Sequence, residues 1–111
     1  AGPHLARAEA LVAGWCAANP PFRGVNWACG QEAALRALHL GLALGILEAD
    51  RDPPPGARRL LDLCAGRIAA TPLYALAQDN NHPVSEAAGA YACALVLRRD
   101  PRHHAAALAR R

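Results

Sequence analysis

Residues Gln31–Ala49 read QEAALRALHLGLALGILEA. Apolar side chains recur around most of the circumference at helical spacing, with Glu32, Arg36 and His39 forming one polar line at i, i+4 and i+7. That pattern predicts a helix buried nearly all round. Gly41 and Gly45 each cost such a helix about 1 kcal/mol relative to alanine. Close approach of a neighbouring helix at these positions is the expected compensation. The rigid spacer Asp52-Pro53-Pro54-Pro55-Gly56 then ends the segment.

Working outward, helical periodicity continues on both sides. Pro3 suits a first helical turn, and Leu5, Ala8, Leu11, Val12 and Trp15 recur at helical spacing until Asn19-Pro20-Pro21, which predicts a helix over 4–18. The segment PPFRGVNWACG is a loop by its prolines and glycines, with Phe22 and Trp27 as its anchors. A third helix is expected from about Ala57, carrying Leu60, Leu61, Cys64 and Ile68, and Thr71-Pro72 breaks it before a short continuation to Gln78. Pro83 at the first helical position opens a fourth helix to about Arg99, and Asp100-Pro101 starts a fifth piece. No alternating strand pattern occurs. The expected class is all-α, with successive helices in antiparallel hairpins, over residues 1–111 as one helical domain or as a fragment of a larger one. Two helices that are apolar all round have too few neighbours here to cover them. A larger layered helical body, or a homo-oligomer, is the expected context.

Composition narrows the function classes. The chain is 53% hydrophobic and 19% charged, and contains no lysine, so all 12 positive side chains are arginines. Alanine-rich composition favours helix. The formal charge of +3 is mild, and the arginines between Arg98 and Arg111 lack interleaved aromatics, so no nucleic-acid partner is expected. The four cysteines, Cys16, Cys29, Cys64 and Cys93, show no C-x-x-C pair and no histidine at zinc-ligand spacing. They are read as free, mostly buried apolar residues, and neither a metal nor another cofactor is expected. The longest apolar run, Leu35 to Leu47, carries Arg36 and His39 and falls short of the roughly 20 residues that span a bilayer, so no membrane partner is expected. The opening AGPHLARAEALVAG lacks the basic and apolar regions of a signal peptide.

Two polar stretches interrupt the apolar pattern. In QDNNHPVSE, Gln78–Glu86, the asparagines suit a turn and a helix cap, which accounts for Asn80-Asn81 but not for His82. His82 beside paired amides at a helix N-terminus is a placement that also favours a bound carboxylate. The second stretch is GVNWACGQE with Arg36 one turn on. Glu32 and Arg36 can form an i, i+4 ion pair of a few tenths of a kcal/mol, or line a cavity. Trp27 can pack in the core or offer its face to a sugar ring. His103-His104 are about 100° apart around a helix axis and poorly placed to share a metal, and His39 is expected to be an interior histidine.

Together, GVNWACGQEAALRALHLGLAL (Gly24–Leu44) and YALAQDNNHPVSEAAGAYACALVL (Tyr74–Leu97) resemble the helical domain of the heparinase II/III-like polysaccharide lyases, over residues of about 22–98. The resemblance implies part of an (α/α) toroid, normally followed by a β-sandwich, in an enzyme that cleaves uronate-containing acidic polysaccharides such as glycosaminoglycans or alginate by β-elimination. It further implies a periplasmic or secreted bacterial setting. By the same resemblance, Asn81 neutralises the substrate carboxylate and His82 is its catalytic partner. Trp27, Gln31, Glu32 and Arg36 are then the substrate-binding candidates, while Asn80 and Glu86 hold the turn. The family's catalytic tyrosine lies in a later motif that neither Tyr74 nor Tyr91 matches, so these residues carry half an active site and are not expected to turn over substrate alone. The alternative from the same residues is a non-catalytic helical module that binds glycan or protein.

Overall fold

A computed structural model describes residues 2–77 and 80–98. The chain is all-α: among the described residues there are five α-helices and no strand. They are α1 (Gly2–Ala18), α2 (Gly30–Ile46), α3 (Pro55–Ala70), α4 (Pro72–Ala77) and α5 (His82–Leu97), with a single 3-10 turn at Val25–Trp27. The expected fifth piece after Asp100, with His103 and His104, lies outside the described residues.

Helix boundaries follow local chemistry. Pro55 starts α3, and Thr71 closes it with its hydroxyl accepting from Arg67 Nη1 at 2.8 Å. The predicted run to Ala49 stops three residues early. Ala49 N–H donates to Leu44 O and Glu48 N–H to Gly45 O, a Schellman closure in which Glu48 takes the left-handed position at φ 56° that glycine usually fills.

The core is built on α2. Ala33, Ala34, Ala37 and Leu44 face inward against Leu60, Leu61 and Cys64 of α3 and Cys93 and Leu97 of α5. Successive long helices are antiparallel. Leu5 and Ala8 of α1 lie beside Leu44 and Leu47, while Trp15 at the far end of α1 meets Arg36. Ala57 at the start of α3 adjoins the end of α2, and Arg67 at its close reaches the carbonyl of Trp27, just before α2 begins. Ala65 and Ile68 of α3 adjoin Glu86 and Ala90 of α5.

The remaining pair, α2 and α5, runs parallel. Gly30 faces Glu86, Ala34 faces Gly89 and Gly41 faces Val96, with residue numbers rising together along both helices. The close approach expected at Gly41 and Gly45 occurs elsewhere: a Cβ on Gly41 would make ordinary contact with Val96 at 3.9 Å, and one on Gly45 would meet open space. The contact that demands glycine is Gly89, where an added Cβ would lie 2.5 Å from Ala34 Cα and Cβ. Gly89→Ala is therefore expected to lose about 1–3 kcal/mol of stability through overpacking, whereas Gly45→Ala gains up to about 1 kcal/mol from helix propensity. Urea midpoints of the two variants check the contrast.

The expected shortage of covering elements is visible as exposed apolar side chains. Leu35, Leu42 and Ile46 stand exposed along α2, and Val84, Tyr91 and Leu95 along α5. No helix among the described residues is long and apolar enough to cross a membrane.

Candidate functional site

Parallel packing of α2 and α5 brings their N-termini to one end of the molecule. At the start of α5, the Asn80 side-chain oxygen accepts from His82 N–H at 2.9 Å, forming an Asx-type turn. Asn80 thereby does the capping. Asn81 occupies the N-cap position, but its backbone is helical (φ −74°, ψ −11°) and its side chain makes no cap hydrogen bond. Only its carbonyl is used, accepting from Ser85 N–H at 2.9 Å. The helix starts at His82, which puts Pro83 one position later than the sequence predicts; Pro83 has no N–H to offer. The exposed Asn81 amide is thus a side-chain donor at this helix end whose oxygen and nitrogen are both free of capping.

Behind Asn81 sits a small polar cluster. His82 is half-buried, and its Nδ1 lies 3.4 Å from Glu86 Oε2 and 3.8 Å from Cys29 Sγ. Glu86 is only 5% exposed, and its second oxygen, Oε1, has no hydrogen-bond partner. That oxygen lies against Gly30, the first residue of α2, where an added Cβ would overlap it. Glycine at position 30 is what admits the carboxylate, and the positive end of the α2 dipole stabilises it there. Gln31, one residue on, is half-buried in the first turn of α2, and Glu32 beside it is exposed.

The expectation that Trp27 meets substrate is corrected. Trp27 is 2% exposed and presents no face to a sugar. Its ring packs against Trp15 and Phe22 with centroids 5.9 and 5.4 Å away, and its Nε1–H donates to Asn19 O at 3.1 Å. Arg36 is drawn into the same cluster, away from the Asn81–His82 end. Its guanidinium lies 4.3 Å from the Trp15 ring and 5.0 Å from the Trp27 ring, Nη2 donates to Asn26 O at 2.5 Å, and Nη1 is buried without a partner. The ion-pair reading of Glu32–Arg36 does not hold, because cation–π contact and the Asn26 carbonyl claim the arginine, which lines an open pocket with Leu11, Val12, Trp15, Leu40 and Leu60. Asn81, His82 and Gln31 share one end of the α2/α5 pair, while Trp27 and Arg36 belong to a packing cluster on the α1/α3 side.

Arg67 was not legible as important from its type alone. It fixes the Val25–Ala28 segment onto α3, donating to Trp27 O at 2.7 Å and to Ala28 O at 2.8 Å. Its position in the last turn of a helix, where basic side chains meet carbonyls, was the available signal. Among the cysteines all four are free. Burial pushes the Cys64 thiol up to about 11 against the lowering effect of Arg36, and Cys93 up to about 12, so both stay protonated and unreactive near neutral pH. Among the described residues no group of three or more His, Cys, Asp or Glu side chains is placed to hold a metal ion. No protein-family model matches the chain, and no curated protein or solved structure is significantly similar to it.

Proposed function

We propose that the chain is a segment of the helical toroid of a heparinase II/III-like polysaccharide lyase, which in its complete form cleaves uronate-containing acidic polysaccharides by β-elimination. The observation that carries this reading is the free Asn81 amide: Asn80 takes over the capping and leaves Asn81 exposed beside His82 at a helix N-terminus. The chemistry uses such a donor. Removing the C5 proton of a uronate places charge next to a carboxylate, and a fixed donor on that carboxylate stabilises the enolate-like transition state. The proton goes to a histidine or tyrosine, and a tyrosine protonates the departing glycosidic oxygen.

The layering supports the same reading. An (α/α) toroid has an inner ring of parallel helices and an outer ring antiparallel to it. Here α2 and α5 are parallel neighbours, α1 and α3 pack antiparallel to them, and the exposed apolar stripes on α2 and α5 are where further hairpins of such a ring would pack.

The burial of Trp27, and the placing of Arg36 away from the Asn81–His82 end, favour the second reading, a non-catalytic module. One assay separates the two. The protein expressed from the complete reading frame is mixed with a panel of polyuronates and glycosaminoglycans, and ultraviolet absorbance of the unsaturated uronate product is followed. A rise with at least one acidic polysaccharide is expected; no rise with any of them overturns the lyase reading.

A further inference from the structure

From the His82–Glu86 contact we infer that Glu86 is a positioning residue: it holds the proton of His82 on Nδ1 and turns the bare Nε2 outward, so that His82 serves as the base at this site. The role as base rests on the lyase reading above; the tautomer does not.

Three observations favour the ring proton on Nδ1, facing the carboxylate. Glu86 Oε2 is 3.4 Å from His82 Nδ1, one helical turn along α5, so ring and carboxylate are held on the same face. Glu86 is 5% exposed and Oε1 already lacks a partner. Were Nδ1 bare, no protein donor among the described residues would face either oxygen of this carboxylate, which is costlier than leaving Oε1 alone unpaired. The remaining arrangement is a protonated carboxyl donating to Nδ1, and the N-terminus of α2 at Gly30 disfavours it by stabilising the ionised carboxylate. Cys29 Sγ, 3.8 Å from the same nitrogen, is a weak second acceptor and leaves Nε2 untouched.

The consequence divides the labour at the site. A ring with Nδ1–H donated to a carboxylate has its lone pair on Nε2, so neutral His82 accepts a proton and does not supply one. Asn81 is left as the donor to the uronate carboxylate. In the elimination, the C5–H bond breaks, the proton passes to His82 Nε2 and its electron pair forms the C4=C5 double bond. The C4–O bond breaks with its pair on the glycosidic oxygen, and that oxygen takes a proton from the tyrosine phenol implied for the complete enzyme. The imidazolium so formed is balanced by Glu86.

The test is long-range proton–nitrogen NMR on the chain labelled with nitrogen-15 histidine, with His82 assigned by its loss in His82→Gln. Wild-type His82 at a pH where it is neutral is expected to carry its proton on Nδ1. Glu86→Leu, which removes the acceptor at similar volume, is expected to shift the ring to the Nε2-protonated form that an unconstrained neutral histidine side chain prefers. An Nε2-protonated ring in the wild type overturns the inference, and that measurement stands even where Glu86→Leu fails to fold. In the complete enzyme Glu86→Leu is expected to lower kcat about 10²-fold or more with little change in KM; an equal loss from a folded variant that keeps the Nδ1 tautomer contradicts it. Because the NMR needs no substrate, an Nδ1-protonated ring in a protein inert toward every polyuronate upholds the pair and overturns only the lyase reading.

Discussion

Trp27→Ala is expected to destabilise the protein by about 3–5 kcal/mol, the usual loss when a large buried aromatic is truncated. The ring is 2% exposed and sits between Trp15, Phe22 and the Arg36 guanidinium. Its removal leaves a cavity, deprives Asn19 O of its 3.1 Å donor, and takes one of two aromatic faces from an arginine whose Nη1 already has no partner. Set against a typical total of about 5–15 kcal/mol, the variant retains little margin. The urea midpoint measures it. A sugar-stacking tryptophan would behave in the opposite way, with stability held within about 0.5 kcal/mol and glycan affinity lost.

On the proposed lyase function, Asn81→Ala in the complete protein is expected to reduce kcat by about 10²–10³, the range for losing one preorganised donor to a developing oxyanion. Stability should hardly change, because Asn80 and not Asn81 supplies the side-chain oxygen that satisfies His82 N–H. Steady-state kinetics on the unsaturated product, with a thermal melt of the same sample, separates the two effects. A melt lowered by the 1 kcal/mol or so of a lost helix cap, with kcat intact, would assign Asn81 to the fold alone.

The helices were legible because proline, glycine and periodicity mark their ends locally. Pro55, Thr71-Pro72 and Pro83 each lie within a residue of a boundary. What the sequence concealed depends on partners far along the chain. Gly41 and Gly45 looked like the close-packing glycines because they share a helix, yet the demand falls on Gly30 and Gly89, whose neighbours Glu86 and Ala34 are more than 50 residues away. Arg36 looked like half of an ion pair because Glu32 is one turn away, but Trp15 and Asn26 decided its place. At the site, the pairing of Asn80 with the His82 backbone was local, whereas the approach of Cys29 to His82 required knowing that α2 and α5 run side by side.

That parallel arrangement has an electrostatic cost. In an antiparallel pair neighbouring helix dipoles attract; here the ends carrying about half a positive charge each lie together, over helices of 17 and 16 residues. The buried carboxylate of Glu86, set against the first residue of α2 and one turn into α5, acts as a built-in counterion between them. It offsets their mutual repulsion from within, and because it is buried that compensation is screened little by added salt.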